Sequence, residues 1–317
     1  MIEGGISRRS ALFLPTAALS IPLLSMPTIS HAADTESPVL LGGDRVKFPG
    51  TSNPKDGFPL ASFGLQVYDD NTAYKLTLLA LQVGYRNFFA SVLAGNQRGF
   101  AKAVKASGIP RDELYICGSV LSNRSQGEKA AYEKTKQGCK ENMEAMAVGG
   151  ITHLDMIMLD YPGPDAESVR GQWRAFEEMK KAGTVDDLAV SNFSPSQLDV
   201  ILTDPKTLTK PTVNQLPFSI ANNRKGTLAY NTERDVLVQS WSPLSRVLSS
   251  PSTKNELESI GKSYGKSAAQ VGLRWIVQSG AAFCTQSKSQ KHFEEDLNVF
   301  DFKLSNTDMD KISQLSG

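Results

Sequence analysis

From residue 58 onward, brief apolar runs alternate with longer stretches in which apolar positions recur every three or four residues. The brief runs cover 62–66, 85–89, 114–119, 156–160, 187–191, 213–216, 237–240 and 281–285. Each is short and rich in residues suited to burial on both faces, as strands of a helix-covered parallel sheet are. The longer stretches predict helices, among them 130–148, 166–182 and 268–278, the last with Ser267 as N-cap and Gly280 as its stop. Eight strand–helix alternations, with no G-x-G-x-x-G after the first strand, predict a closed (β/α)8 TIM barrel rather than a doubly wound sheet. In such a barrel chemistry gathers where the strands end. The positions to question are therefore 89–94, Ser119, Asp160, Ser191, Asn192, Gln215, Trp241, Gln286 and Ser287.

The first 33 residues read differently. Ser7-Arg8-Arg9-Ser10 precedes an apolar stretch over 11–26, followed by the small residues Ala32-Ala33. That order of charged, apolar and small segments is a secretory signal peptide. The arginine pair points to the twin-arginine route, which carries folded proteins. An uncleaved anchor and a chance arginine pair are the alternatives. The expected mature chain starts near Ala33 or Asp34, has no membrane span, and resides in a periplasm or a thylakoid lumen. Residues 34–58, rich in Gly, Pro, Asp and Ser, read as a linker and barrel-bottom cover, and 59–317 as the barrel.

Composition narrows the function classes. With 317 residues, 40% of them hydrophobic, the chain can bury one sizeable core. Lys and Arg (34) nearly balance Asp and Glu (33) without a basic run, which excludes a nucleic-acid partner. Three cysteines, Cys117, Cys139 and Cys284, sit in apolar settings that suit core packing, and no Cys–His spacing suggests a metal.

Several motifs stand at the strand ends and helix starts. They are Gly84-Tyr85-Arg86, residues 107–114 (SGIPRDEL), His153-Leu154-Asp155, Trp173, Ala182-Gly183-Thr184-Val185 and Val190-Ser191-Asn192-Phe193. Asn214-Gln215, Trp241-Ser242-Pro243-Leu244, Ala269-Gln270-Val271, Leu273-Arg274-Trp275 and Phe300-Asp301-Phe302 follow. In this order and spacing the chain resembles the aldo-keto reductases over nearly all of 58–315.

The resemblance implies hydride transfer between a nicotinamide and a carbonyl carbon, with a general acid to protonate the alkoxide. The family uses a Tyr for this, a Lys and an Asp to tune it, and a His to orient the carbonyl. At those four places this chain has Ala94 for the Tyr, Ser119 for the Lys, Phe89 for the Asp and Asp160 for the His. Loss of a general acid alone costs about 10²–10⁴-fold in rate.

For the cofactor, NAD or NADP, the resemblance implies Ser191, Asn192 and Gln215 at the carboxamide and Trp241 under the ring, with Ser242 and Leu244 alongside. At the adenosine end it implies Ser287 and Glu295, but Gln286 and His292 stand for a Lys and an Arg, and Asp296 adds a negative charge. Binding is expected to be weak or absent, with NADP penalised more than NAD.

Each assignment has a plainer counterpart. Asp160 reads as a surrogate acid or as a solvated or backbone-bonded carboxylate; Trp241 as a stacking face or a plug; Ser191-Asn192 as cofactor ligands or as a cap for the next helix. His292 reads as a phosphate contact or an exposed helix residue, and Phe88-Phe89 as filling of a former active site. The reading that follows is a reductase-like but catalytically degenerate binding or assembly protein, with a protein partner in the exported compartment or a small ligand in the barrel mouth. Its rival is a working NAD(P)-linked oxidoreductase with a rearranged acid.

Overall fold

The computed structural model describes residues 43–48, 57–223 and 226–315. The signal segment, most of the predicted linker and the last two residues lie outside the described residues. Eight parallel strands close a barrel: β3 (Ala61–Gly64), β4 (Asn87–Phe89), β5 (Tyr115–Val120), β6 (Leu154–Asp160), β7 (Val185–Ser191), β8 (Val213–Leu216), β9 (Leu237–Trp241) and β10 (Ala282–Thr285). Neighbours in sequence are neighbours in the barrel, and β10 closes on β3.

The helical layer comprises α1 (Asp70–Val83), α2 (Gln97–Ser107), α3 (Glu128–Ala147), α4 (Ala166–Lys181), α5 (Pro195–Leu202), α6 (Thr227–Thr232), α7 (Pro251–Lys262), α8 (Ala268–Gln278), α9 (Gln290–Leu297) and α10 (Asn306–Ser313). Ser267 caps α8 through a reciprocal capping box with Gln270, and Gly280 takes a φ of 89° just beyond its end.

Alternation along the strands builds two cores. Phe88, Ile116, Ile157, Leu159, Leu188, Val190 and Phe283 face outward onto the helices, while Phe89, Cys117, Met156, Met158, Ala189, Val213, Ala282 and Cys284 fill the interior.

The structure corrects several boundaries. The strand expected over 85–89 is β4, Asn87–Phe89, because Tyr85 precedes the ladder and its backbone N–H closes α1 on Ala80 O at 2.9 Å. β6 and β7 each begin two residues earlier than the apolar runs suggest, at Leu154 and Val185. The predicted linker also contains structure. Strand β1 (Arg45–Val46) pairs antiparallel with β2 (Phe58–Pro59), and Phe58 sets its ring edge-on to Tyr115, the first residue of β5. Residues 43–48 and 57–59 thus cover the N-terminal end of the barrel.

Candidate functional site at the barrel mouth

Strand alternation carries Ser119, Asp160, Ser191, Gln215, Gln239 and Trp241 inward at the C-terminal ends of β5 to β9. Ladder pairing sets Asp160 beside Ser191 and Ser191 beside Gln215. These are the strand-end positions that the sequence singles out, with Gln239 added. Gln239 is legible in hindsight as the inward residue two before Trp241.

The four family positions are occupied as follows. Phe89 is 2% exposed and belongs to the interior core. Ala94 lies half-buried in the loop between β4 and α2. That loop is clamped by buried Asn96, whose Nδ2 donates to the carbonyls of Leu65 and Tyr68 while its Oδ1 accepts from Ser91 N. The Ser119 Oγ accepts the backbone N–H of Val92 at 3.0 Å. Asp160 is 6% exposed, which rules out the solvated-carboxylate reading. Tyr68, on the loop that Asn96 grips, carries a phenol that burial pushes up to about 12.

At the nicotinamide positions the side chains bond one another. Trp241 Nε1 donates to Asn192 Oδ1 at 3.1 Å, and Asn192 Nδ2 donates to Ser191 Oγ at 2.9 Å. Gln215 Nε2 donates to Gln239 Oε1 at 2.8 Å. Asn192 adopts a left-handed φ of 64° and does not cap the next helix; Ser194 does that, with Gln197 completing the box. The capping alternative for Ser191-Asn192 therefore fails. Ser242 is exposed with a φ of 52°. Leu244 turns toward α8, where its Cδ2 would stand 3.1 Å from a Cβ on Gly272.

The adenosine end holds a larger correction. Asp296 does not present a charge to solvent: it is 5% exposed and accepts the Tyr85 hydroxyl at 3.3 Å. Burial raises its carboxyl to about 7, against the opposing hydrogen bonds from Thr285 and Tyr85. Ser287 Oγ meets His292 Nδ1 at 3.1 Å and accepts from Ser289 N, so His292 is exposed but not without a partner. Glu295 is matched with Lys291 at 3.7 Å. Lys288, which sequence reasoning passed over, places its Nζ 5.8 Å from the Tyr68 ring centre. It is a cation next to the serine of the former Lys-Ser pair. Among the described residues no group of three or more His, Cys, Asp or Glu is placed to hold a metal ion. No helix among them is long and apolar enough to cross a membrane.

Comparison with known proteins follows the same line. The sequence model of the Aldo/keto reductase family matches residues 57–316. Glyoxal reductase of Bacillus subtilis (strain 168) is 32% identical over 265 residues, covering 82% of this chain and 91% of that protein. A 9,11-endoperoxide prostaglandin H2 reductase of Trypanosoma cruzi (strain CL Brener) is 29% identical over 238 residues, covering 75% and 80%. Among solved structures, an aldo/keto reductase from Brucella melitensis superposes with a TM-score of 0.74 at 27% identity, covering 85% of this chain and all of that one.

Proposed function

The chain belongs to the aldo/keto reductase family, and on that premise we propose that it is a member without the family's reductase chemistry, retained as a binding or assembly protein in an exported compartment. The observation that carries this reading is Phe89. Where the reaction needs a carboxylate, an aromatic ring is packed into the interior core at 2% exposure. The neighbouring lysine position is a serine whose hydroxyl is spent on the Val92 amide. With Ala94 at the third position, none of these three places supplies a phenol, a cation or a carboxylate to protonate an alkoxide. Such preorganised charge usually contributes more to catalysis than any other single effect.

The residues present fit half of a nicotinamide dinucleotide. Ser191, Asn192 and Gln215 would hold a carboxamide and Trp241 would face the ring, while the bound cofactor would supply or accept hydride. At the other end Lys288 and Ser287 could meet the shared pyrophosphate or ribose, but Gln286 and His292 supply no fixed charge for a 2′-phosphate. NAD therefore fits better than NADP, and both fit weakly. The vacated mouth would serve a small ligand or a partner's side chain.

The second reading, a working oxidoreductase that uses Asp160 as acid, is favoured by one observation. Asp160 is inward, 6% exposed and beside Ser191, at the position the family resemblance gives to the residue that orients the carbonyl. Consumption of NADH or NADPH with glyoxal tests the two, because only the second reading allows turnover. Export is tested by sequencing the N-terminus of the protein from its host: a start near Ala33 supports it, and retention of residues 11–26 opposes it.

A further inference from the structure

Two hydrogen-bonded turns stand at the rim of the barrel mouth. In the first, Tyr68 N donates to Leu65 O at 3.2 Å, with Gln66 and Val67 between them. In the second, Gly95 N donates to Val92 O at 3.2 Å, with Leu93 and Ala94 between them. Val67 is 65% exposed and Leu93 55%, and they are two of the three large exposed hydrophobics among the described residues. The turns are bolted together. Asn96 Nδ2 donates to the carbonyls of Leu65 and Tyr68, the two ends of the first turn, and its Oδ1 holds Ser91 N just before the second. Leu65 N reaches Phe89 O at 3.1 Å, and Ser119 Oγ holds Val92 N. A Cβ on Gly95 would meet nothing within 4 Å, so the second turn projects into open space. Two aliphatic side chains are thus displayed on a fixed, convex support. Small-ligand sites are concave; a protruding apolar pair suits the surface of a macromolecular partner.

Around this pair the loops offer positive charge. The strands β9, β10, β3, β4 and β5 are consecutive in the barrel, and the loops that follow them carry Arg246, Lys288, Val67, Leu93 and Arg124 in that order. Exposed cations therefore flank the aliphatic pair on both sides. Lys288 Nζ lies 5.8 Å from the ring centre of Tyr68, at the end of the first turn. The carboxylates next to that turn are committed elsewhere: Asp69 accepts Thr72 N and Thr72 Oγ1 at the start of α1, and Asp70 accepts Gly99 N. We propose that the ridge docks an extended acidic segment of a partner protein, with aliphatic side chains of the segment packed on Val67 and Leu93 and its carboxylates facing Lys288, Arg246 and Arg124. The aliphatic pair supplies a desolvated anchor, and the flanking cations set orientation and speed of approach. Because the turns are already fixed, docking costs little ordering on this side. This docking rests on the binding-protein reading and deepens it, yet the two fail separately. Turnover of glyoxal would sink that reading, whereas absence of peptide binding would sink the ridge alone.

Leu208 provides the internal comparison. It is 84% exposed, more than either ridge residue, but lies between α5 and β8 at the opposite end of the barrel. The probe is a phage-displayed library of random linear dodecapeptides selected on the immobilised full chain, followed by fluorescence-anisotropy titration of the selected peptide in synthetic form. Selected sequences are expected to combine Asp or Glu with Leu, Ile or Val. Val67→Asp and Leu93→Asp should each weaken binding at least about tenfold, as loss of an anchor side chain does. Lys288→Glu should weaken it too and flatten its decline with added salt. Leu208→Asp should leave it unchanged. No enrichment, enrichment of basic or uncharged sequences, or affinity indifferent to both Val67→Asp and Leu93→Asp overturns the proposal. So does attachment to anionic phospholipid vesicles that Val67→Asp abolishes, which would make the ridge a membrane contact. The substituted side chains are all exposed, and the selection on the wild-type chain decides the matter even if a variant fails to fold.

Discussion

The hydroxyl of Ser119 accepts the backbone N–H of Val92 at 3.0 Å, so the residue standing where a catalytic lysine belongs now anchors the loop that carries Ala94. The side chain is fully buried, with Phe89 on the adjoining strand. Ser119 and Phe89 thus both belong to the packing at this end of the barrel.

This packing gives an expected coupling. Ser119→Lys alone places a cation in a fully buried site and should destabilise the fold by several kcal/mol. Phe89→Asp alone removes a core ring and should cost about 3–5 kcal/mol. Combined, the two new charges can pair, so the double variant should be more stable than the sum of the single losses. Urea denaturation of the four proteins in a double-mutant cycle measures this. Simple additivity would show that positions 89 and 119 do not face one another.

Asp296 sets a pH dependence of stability. Its folded carboxyl titrates at about 7, raised by burial, against an unfolded value of about 3.9. Between those values the native state holds a proton that the unfolded chain has lost. Stability is therefore fully present below about pH 4, falls as pH rises toward 7, and levels off above. The loss is on the order of 4 kcal/mol at most, at about 1.4 kcal/mol per tenfold change. Asp296→Asn, which still accepts from Tyr85, should remove this slope and be the more stable protein at pH 8. Denaturation midpoints at pH 5 and 8 check it; equal slopes in both proteins would contradict it.

Asp155 illustrates a motif whose role is structural. It is 1% exposed, pairs with Arg111 at 2.7 Å and accepts the Ile116 amide at 2.7 Å. Removing one partner of such a pair costs about 3–5 kcal/mol when both are buried. Arg111 is about a third exposed, so Asp155→Ala should cost about 2–3 kcal/mol. It should leave dinucleotide affinity unchanged. Urea unfolding and a titration of the folded variant measure the two effects.

Cofactor choice turns on two charges. Each charge-assisted contact is worth about 1.5–3 kcal/mol, so the absence of two corresponds to roughly 10²–10⁴-fold in NADP affinity. Gln286→Lys with His292→Arg should raise NADP affinity at least about tenfold and leave NAD nearly unchanged. Calorimetry of both cofactors with both proteins reads this directly. A wild-type chain that already binds NADP tightly and NAD much less would overturn the assignment of residues 286–292.

The barrel was legible because each strand is a short run buried on both faces and each helix has an amphipathic period; the capping box at Ser267 was readable from residue types alone. Strand-end positions were legible too, since alternation fixes which residues face inward. Asp296 was misread because its chemistry depends on Tyr85, 211 residues away in the chain, whose hydroxyl meets it in the interior. Gln239 and Lys288 were missed because their partners, Gln215 and Tyr68, lie on other strands and loops.

The most direct test of the account is turnover: oxidation of NADH and of NADPH, each at saturating concentration, by the purified protein with glyoxal as substrate, measured to low rates. With Phe89, Ala94, Ser119 and Asp160 in place, turnover should fall at least about 10²–10⁴-fold below a typical enzyme value, at or below about 10⁻² s⁻¹. A turnover of about 1 s⁻¹ or faster, abolished by Asp160→Asn, would contradict the account and establish Asp160 as the acid of a working reductase.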